Sequence, residues 1–269
     1  MIGLESAVGY GTAFRTLKGR VSAHEWETRV NLAACYRLVD KYDMVDLIYN
    51  HISARLDGPE EHMLLNLYGM IYKEITASSL AKIDYAGNVI SKPDTDYGTS
   101  QAGYVIHSAI HQARPDVRCI IHTHTRAGQA VSAMKCGLLP ITQTAMRFYN
   151  RIGYHDYSGP VIDKAEQREL IADLGQHNAL ILRNHGLLTC APTIQQAFNL
   201  MYHLERACRA QVDALAGGQE IIVPPHDVLE KTAHLYDPGT RRPYGLLEWH
   251  AMLRVLDHDD HSTYQPYYT

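Results

Sequence analysis

The chain has 269 residues, a formal net charge of −4 and a hydrophobic fraction of 46%, which is the composition of an ordinary globular protein. This charge balance does not suggest a nucleic-acid partner, and no run of about 18 apolar residues is present to span a bilayer. The first twenty residues lack the basic-then-apolar order of a signal peptide, so we expect a cytoplasmic protein.

The first part of the chain predicts one helix followed by paired strands. NHISARLD and HMLLNLYG predict two strands, and LAKIDYAGNVI predicts a hairpin that turns at Ala86-Gly87-Asn88. An amphipathic helix between about residues 24 and 45 is predicted by apolar side chains at i, i+3, i+4 and i+7: Leu32, Cys35, Tyr36 and Val39.

The second part of the chain alternates helices with strands. SQAGYVIHSAIHQARPD predicts a helix that ends near Arg114, because Pro115 disfavours helical geometry in the residue before it. VRCIIHTH and ALILRNHG predict buried strands, and RAGQAVSAMKCG, EQRELIADLG and TIQQAFNLMYHLERACRAQVDALAGG predict helices. This alternation predicts a sheet covered by helices. We expect one domain over residues 1–218 and a docking tail over residues 219–269, which has too few apolar residues to fold alone.

Three histidines lie where two predicted strands end. His122 and His124 are two residues apart, so the alternation of a strand directs both imidazoles to one face of the sheet. His185 ends another buried strand, and Gly186 after it allows an abrupt turn. The three imidazoles are therefore candidate ligands of one metal ion. Unrelated histidines satisfied by backbone hydrogen bonds are the alternative.

Several segments resemble the class II aldolase/adducin family in order and spacing. These are IIHTHTRAGQAVSAMKCGLLPI, YHDYSG and LILRNHGLL, with NHISAR, YKEIT and GYVIHSAIHQARPDV over about residues 24–217. The central part is closer to the adducin head domain than to the sugar-phosphate aldolases.

The resemblance implies an α/β three-layer α/β/α sandwich with a mostly antiparallel central sheet. It also implies a homotetramer with its sites near subunit interfaces and a small-molecule substrate. His122, His124 and His185 would bind one divalent metal ion per subunit, with zinc expected first and iron, manganese or cobalt as alternatives.

The chain departs from the aldolase pattern around the expected acid/base. Gly103 stands where the sugar-phosphate aldolases carry an acidic residue, and the positions that match their phosphate-binding residues read Asn50, His51, Ser53, Gln101 and Ala102. A smaller carboxylate or an aromatic substrate therefore fits better than a phosphorylated sugar. The candidate catalytic residues are His51, Ser53 and Gln101. His51 is either an acid/base or anion-pairing group, since its unperturbed pKa is about 6.5, or an ordinary histidine at a strand end.

Other polar residues have two interpretations each. His107 and His111 are one helical turn apart and could chelate a metal, but a buried hydrogen-bonded framework is the simpler interpretation. Arg147 either pairs with a substrate carboxylate or lies on the surface. The tyrosines of the tail either reach a neighbouring subunit's site or simply pack or are disordered: Tyr264, Tyr267 and Tyr268.

These features lead to three functional hypotheses. The first is a metal-dependent lyase that promotes aldol cleavage or decarboxylation of a small oxo- or hydroxy-acid or aldehyde-derived substrate through a metal-stabilised enolate. The second is a non-heme iron oxygenase that cleaves an aryl side chain, since three imidazoles with vacant positions also suit Fe(II). The third is a non-catalytic, adducin-like assembly module.

Overall fold

One mixed sheet organises the fold. The structure is a computed structural model that describes residues 14–159, 164–258 and 264–269. Its strands are β1 (His51–Arg55), β2 (His62–Leu65), β3 (Ala81–Asp84), β4 (Val89–Ser91), β5 (Cys119–Thr123), β6 (Gly153–His155), β7 (Ala179–Leu182) and β8 (Gly186–Ala191). Their order within the described chain is β4-β3-β2-β1-β5-β8-β7-β6. Neighbouring strands are antiparallel except β6 and β7, which are parallel.

Helices cover both faces of this sheet. They are α1 (Ala23–Lys41), α2 (Gln101–Ala113), α3 (Arg126–Ser132), α4 (Gln143–Met146), α5 (Lys164–Leu174), α6 (Ile194–Ala216), α7 (His226–His234) and α8 (Leu246–Asp257), with a 3-10 helix at Tyr72–Glu74. Ile120 joins a core with residues of α2 and α5, whereas its neighbour Ile121 joins a core with residues of α1 and α6. Since consecutive strand residues face opposite ways, the prediction of a three-layer sandwich with a mostly antiparallel sheet is confirmed.

Hydroxyl side chains fix where several helices begin. Ser100 accepts a hydrogen bond from the backbone N–H of Gly103, and Thr125 accepts one from Gly128. Such caps satisfy N–H groups that have no partner inside the helix. At its other end α2 stops at Ala113, as predicted from Pro115.

The second half differs from the predicted pattern at several elements. The sequence pattern predicts one strand over ALILRNHG, but β7 ends at Leu182 and GLLTCA forms a separate strand, β8, which the pattern does not predict. A tight turn joins the two strands, with Asn184 at φ 55°. Strand β6 and helix α4 were also missed. Helix α3 ends at Ser132, before Gly137, because the following residues form turns.

The C-terminal residues pack on the rest of the chain. Helix α8 lies against α1 and α6, and α7 lies against α4. Trp249 and Tyr267 are buried in the larger core, and the Tyr267 carbonyl accepts a hydrogen bond from the Ala77 N–H. The division at residue 218 stays a prediction. None of the described helices combines the length and apolar character that a membrane crossing requires.

Candidate metal centre

Three imidazole nitrogens converge at one edge of the sheet. His122 lies in β5, His124 directly follows that strand, and His185 occupies the turn between β7 and β8. The Nε2 atom of His122 lies 2.8 Å from Nε2 of His124 and 3.3 Å from Nε2 of His185. The Nε2 atoms of His124 and His185 are 2.9 Å apart. The histidines selected from the sequence therefore meet at one point.

The hydrogen bonds made by Nδ1 of His122 and His124 indicate whether the Nε2 atom of each ring carries a proton or a lone pair. Nδ1 of His122 donates to the Leu187 carbonyl at 2.9 Å. Nδ1 of His124 lies 3.1 Å from a carboxylate oxygen of Asp46, which can only accept. A neutral imidazole that donates through Nδ1 has a lone pair on Nε2. Two lone pairs therefore face each other, an arrangement that a shared cation stabilises.

The spacing of the three nitrogens matches a metal centre. Metal–imidazole bonds of 2.0–2.1 Å place neighbouring ligand nitrogens about 2.9–3.4 Å apart in octahedral or tetrahedral geometry. Burial, and secondarily the nearby imidazoles, holds the pKa of His122 well below its usual range. Burial likewise lowers the pKa of His185 to about 4. Neutral imidazoles are the form that binds a metal ion, so these residues fit a divalent cation at neutral pH.

Gly186 has a different role from the one predicted. The turn residue with positive φ is Asn184, whereas Gly186 begins β8. An ideal Cβ on Gly186 would lie 2.3 Å from the backbone carbonyl oxygen of Thr123. Glycine is therefore needed there so that the turn carrying His185 can approach the end of β5 closely.

His51 lies beside this centre. It pairs with His122 in the β1–β5 register, and the centroids of the two rings are 5.0 Å apart. His51 is buried, and its Nδ1 lies 2.9 Å from Nε2 of His107 on α2. Burial, followed by the charges of His107, His124 and His185, lowers the pKa of His51 well below its usual range.

A chain of hydrogen bonds continues from His107 away from the centre. Nδ1 of His107 lies 2.7 Å from Oγ of Ser53, which lies 3.0 Å from Nε2 of His111. Nδ1 of His111 reaches the Val117 carbonyl at 3.3 Å. The interpretation of His107 and His111 as a buried framework is confirmed by these contacts.

The direction of every proton in this chain follows from its last member. A carbonyl only accepts, so neutral His111 donates to Val117 through Nδ1 and accepts from Ser53 through Nε2. Ser53 then accepts from Nδ1 of His107, whose Nε2 accepts from His51. His51 is consequently the Nδ1–H tautomer, with its lone pair on Nε2.

The other candidate residues lie nearby. Ser53 is fully buried between two imidazoles, so its hydroxyl supports the histidines instead of facing a ligand. Gln101 is the first residue of α2, and its side chain lies outside the described part of the structure. Asn50 is also buried, and its Oδ1 accepts a hydrogen bond from the Asp46 N–H.

Two polar residues of the site escaped the sequence analysis. Asp46, which orients His124, lies in an irregular segment before β1, where no periodicity marks it. His155 lies on the short strand β6, and its Nδ1 is 2.7 Å from a carboxylate oxygen of Asp173. In the sequence His155 belongs to YHDYSG, a segment that supports the family resemblance but predicts no role for this histidine.

Exposed apolar side chains border the centre. Tyr157 is 56% exposed, and its ring centroid lies 6.2 Å from that of His185. Leu47 and Tyr49 lie one and three residues after Asp46, which contacts His124, and they are 70% and 52% exposed. The surroundings of the imidazoles therefore offer apolar and aromatic surface.

Comparisons with known proteins agree with this architecture. Residues 30–212 match the family described as Class II Aldolase and Adducin N-terminal domain. A Pseudomonas aeruginosa protein assigned by name to the class 2 aldolases is 46% identical, over 90% of this chain and 93% of its own. Rat alpha-adducin is 39% identical over 99% of this chain, which spans 38% of that protein.

Two solved structures extend the comparison to the fold. An aldolase II superfamily protein from Pseudomonas syringae has a TM-score of 0.88 and 44% identity, covering 94% of this chain and 99% of its own. The L-fuculose 1-phosphate aldolase of Glaciozyma antarctica has a TM-score of 0.77 and 26% identity, covering 91% of this chain and 92% of its own. The chain therefore belongs to the class II aldolase and adducin N-terminal domain family.

Proposed function

We propose that the protein is a metal-dependent carbon–carbon lyase that cleaves or decarboxylates a small oxo- or hydroxy-acid or aldehyde-derived substrate. The observation that carries this proposal is the convergence of three Nε2 atoms within 3.3 Å of one another, two of them with lone pairs directed by partners of their own. A purely structural cluster of neutral imidazoles would gain little from facing lone pairs.

His122, His124 and His185 would hold the ion, with zinc expected and iron, manganese or cobalt as alternatives. A divalent cation bound there supplies a Lewis acid that polarises a substrate carbonyl and stabilises negative charge next to it. Asp46 and the Leu187 carbonyl keep two of the rings in the tautomer that presents Nε2. The protein's part is thus to fix three neutral donors before the ion arrives.

His51 is the group that we assign to proton transfer. Its Nδ1–H is engaged by His107, which leaves the Nε2 lone pair to accept a proton from a substrate hydroxyl or carbon and later to return it. His107, Ser53 and His111 are positioning residues, since they fix the tautomer of His51 without facing the substrate. This arrangement would replace the carboxylate of the sugar-phosphate aldolases, which is absent at Gly103.

The substrate that this surrounding fits is small and unphosphorylated. His51, at a position that matches a phosphate-binding residue, presents a lone pair on Nε2 because its Nδ1–H is engaged by His107, so it has no free N–H group to donate to a phosphate. Tyr157, close to His185, offers an aromatic surface instead. An unphosphorylated oxo-acid with an apolar or aromatic substituent would satisfy both features, because its substituent would lie against the ring of Tyr157.

A homotetramer with sites near subunit interfaces is part of the proposal. Leu47 and Tyr49, which follow Asp46 in the chain, are 70% and 52% exposed, and a second subunit would cover them. Light scattering coupled to size-exclusion chromatography gives the mass directly. A monomer over the working concentration range would contradict this part without affecting the metal centre.

An adducin-like assembly module is the second candidate function, favoured by the 39% identity to rat alpha-adducin.

The test of the lyase proposal compares wild type and His122→Ala after purification without chelator. Elemental analysis gives the metal content, and a screen of oxo-acids, hydroxy-acids and aldehyde pairs gives the turnover. His250→Ala, an exposed histidine on α8, is the matched control.

We expect about one equivalent of divalent metal in wild type and in the control, and its loss together with turnover in His122→Ala. Metal-free wild type without turnover would support the assembly module. Turnover that consumes oxygen and fails under anaerobic conditions would replace the lyase with a non-heme iron oxygenase.

A further inference from the structure

A second cavity lies at the end of the sheet opposite to the metal centre. Its volume is about 490 Å³, and its wall includes Ala179, which begins β7, and Ala191, which ends β8. His185 lies in the turn that joins the other ends of these strands. At about 3.3 Å per residue, the length of β8 alone separates the two places by roughly 17 Å. The volume falls within the range of small-molecule sites.

Arg147 forms part of this wall and is held between aromatic rings. Its guanidinium carbon lies 4.3 Å from the ring centroid of Tyr236 and 5.7 Å from that of Tyr244. Arg147 is only 7% exposed, so it is not a surface residue. Its place on this wall keeps it away from a substrate at the metal centre. Its Nη1 is buried and has no hydrogen-bond partner among the described residues. A cation in this state is costly unless an anion accompanies it.

The acidic groups near the cavity are already paired. Asp237 lines the cavity and binds Arg151, with 2.7 Å between Oδ1 and Nε. Glu248 binds Arg242, with 3.0 Å between Oε2 and Nη1. Arg241 also lines the cavity. Among the described residues its side chain donates a hydrogen bond from Nη1 to the hydroxyl of Tyr244 at 3.4 Å. Within the described chain, Arg147 and Arg241 are therefore the cavity's arginines without a carboxylate partner.

We propose that this cavity binds a small organic anion. Its carboxylate or phosphate pairs with Arg147 and Arg241, and its flat or apolar body lies against Tyr236 and Tyr244. Asn199 of α6, buried and on the same wall, supplies a further polar contact. Arginine suits this role because its planar group stacks on an aromatic ring while its edge binds an anion.

The test is calorimetric titration of the full chain with benzoate, inorganic phosphate and benzamide, the last being the uncharged counterpart of benzoate. We expect benzoate or phosphate to bind, benzamide to bind at least tenfold more weakly, and the affinity for the anion to fall as salt rises. Binding of benzoate alone identifies a carboxylate ligand, and binding of phosphate alone identifies a phosphate ligand. Failure of both anions, or equal binding of benzamide, overturns the proposal.

Variants locate the binding. Arg147→Met and the exposed Arg241→Gln should each weaken binding at least tenfold, whereas Arg254→Gln on α8 should leave it unchanged. His122→Ala should retain binding, which separates this cavity from the metal centre and from the fate of the proposed lyase activity. Loss of binding in His122→Ala, or unchanged binding in Arg147→Met, overturns the assignment.

Thermal denaturation distinguishes a loss of anion binding in Arg147→Met from a failure of the variant to fold. Without anion, the melting temperature of Arg147→Met shows whether the variant is folded, since the substitution removes a buried cation but also its contacts with two tyrosine rings. The anion should raise the melting temperature of wild type and raise that of Arg147→Met much less. An equal rise in both proteins would overturn the assignment of the anion to Arg147.

Discussion

Gly103 packs directly against the ring of His51, so that an ideal Cβ on residue 103 would lie 3.0 Å from Cγ and 3.1 Å from Cδ2 of the imidazole. The ring of His51 thus fills the space into which a side chain at position 103 would extend. The absence of a side chain at position 103 and the position of the His51 ring are therefore sterically linked in this structure. The side chain that we assign to proton transfer depends on a glycine in a neighbouring helix.

A double-mutant cycle tests this coupling. Gly103→Ala in α2 should gain up to about 1 kcal/mol from helix propensity, but contact with His51 should cancel that gain. In the His51→Ala background the gain should be recovered in full. Urea denaturation of the four proteins gives the coupling free energy, expected at about 0.5–1.5 kcal/mol for residues in contact. Additive effects would mean that residue 103 does not constrain the imidazole.

His51→Ala alone should separate chemistry from metal binding. Loss of a general acid/base lowers kcat by about 10²- to 10⁴-fold, while the three ligand histidines remain and metal content should stay at the wild-type value. Steady-state kinetics with elemental analysis of the same preparation measures both. Unchanged kcat would remove His51 from the mechanism, and loss of metal would make it a ligand or a support for one.

Removal of the hydroxyl at position 53 should affect stability and catalysis together. Ser53→Ala leaves Nδ1 of His107 and Nε2 of His111 without their shared partner, which costs about 1–3 kcal/mol for buried polar groups. Turnover should fall less than in His51→Ala, because Ser53 acts only through His107. Ser132→Ala is the control, since that buried hydroxyl donates to one backbone carbonyl. Equal losses of stability in both variants would argue against a special role for the chain.

The metal-ligating candidates could be predicted because local geometry decides them. His122 and His124 share a face by strand alternation, and His185 follows a second strand that ends at the same edge. The contact between His51 and His107 could not be predicted this way. It joins β1 to α2 across 55 intervening residues and depends on β1 being the neighbour of β5, which strand periodicity does not specify.

The missed features share a physical reason. Strand β8 follows β7 through a three-residue turn, and both are continuous apolar runs, so periodicity gives no boundary between them. Asp46 acquires its role only when the loop before β1 folds onto His124. Arg147 reads as a surface residue by composition, but residues about 90 positions later cover it with two tyrosine rings. Such long-range packing is absent from any local pattern.

Asp46→Asn should weaken metal binding without removing a ligand. The carboxylate accepts from Nδ1 of His124, and loss of such a partner typically reduces metal affinity about 10- to 100-fold. Competition with a chromogenic chelator measures the change. Asp213→Asn, an exposed carboxylate on α6, should match wild type. If Asp46→Asn also matched wild type, His124 would be oriented by something other than this contact.

Gly186→Ala should move His185 away from the other two histidines, because the added Cβ collides with the backbone of Thr123. Its added Cβ would meet the Thr123 carbonyl oxygen at 2.3 Å, and backbone atoms cannot move aside as a flexible side chain can. Forced overpacking costs about 1–3 kcal/mol, and the turn carrying His185 must move away from β5. We therefore expect lower stability and weaker metal binding in the same variant, measured by urea denaturation and chelator competition.

Gly98→Ala provides the contrast for Gly186→Ala. Apart from its chain neighbours, no atom of the described residues lies within 4 Å of an ideal Cβ at position 98, and the φ of Gly98 is not positive. Loss of chain entropy in the unfolded state should make Gly98→Ala neutral or stabilising by up to about 1 kcal/mol. Metal affinity should be unchanged in this variant. If Gly186→Ala kept wild-type affinity while losing stability, the position of His185 would not depend on close approach of the turn to Thr123. The two effects must appear together for Gly186 to be the residue that brings the third histidine to the other two.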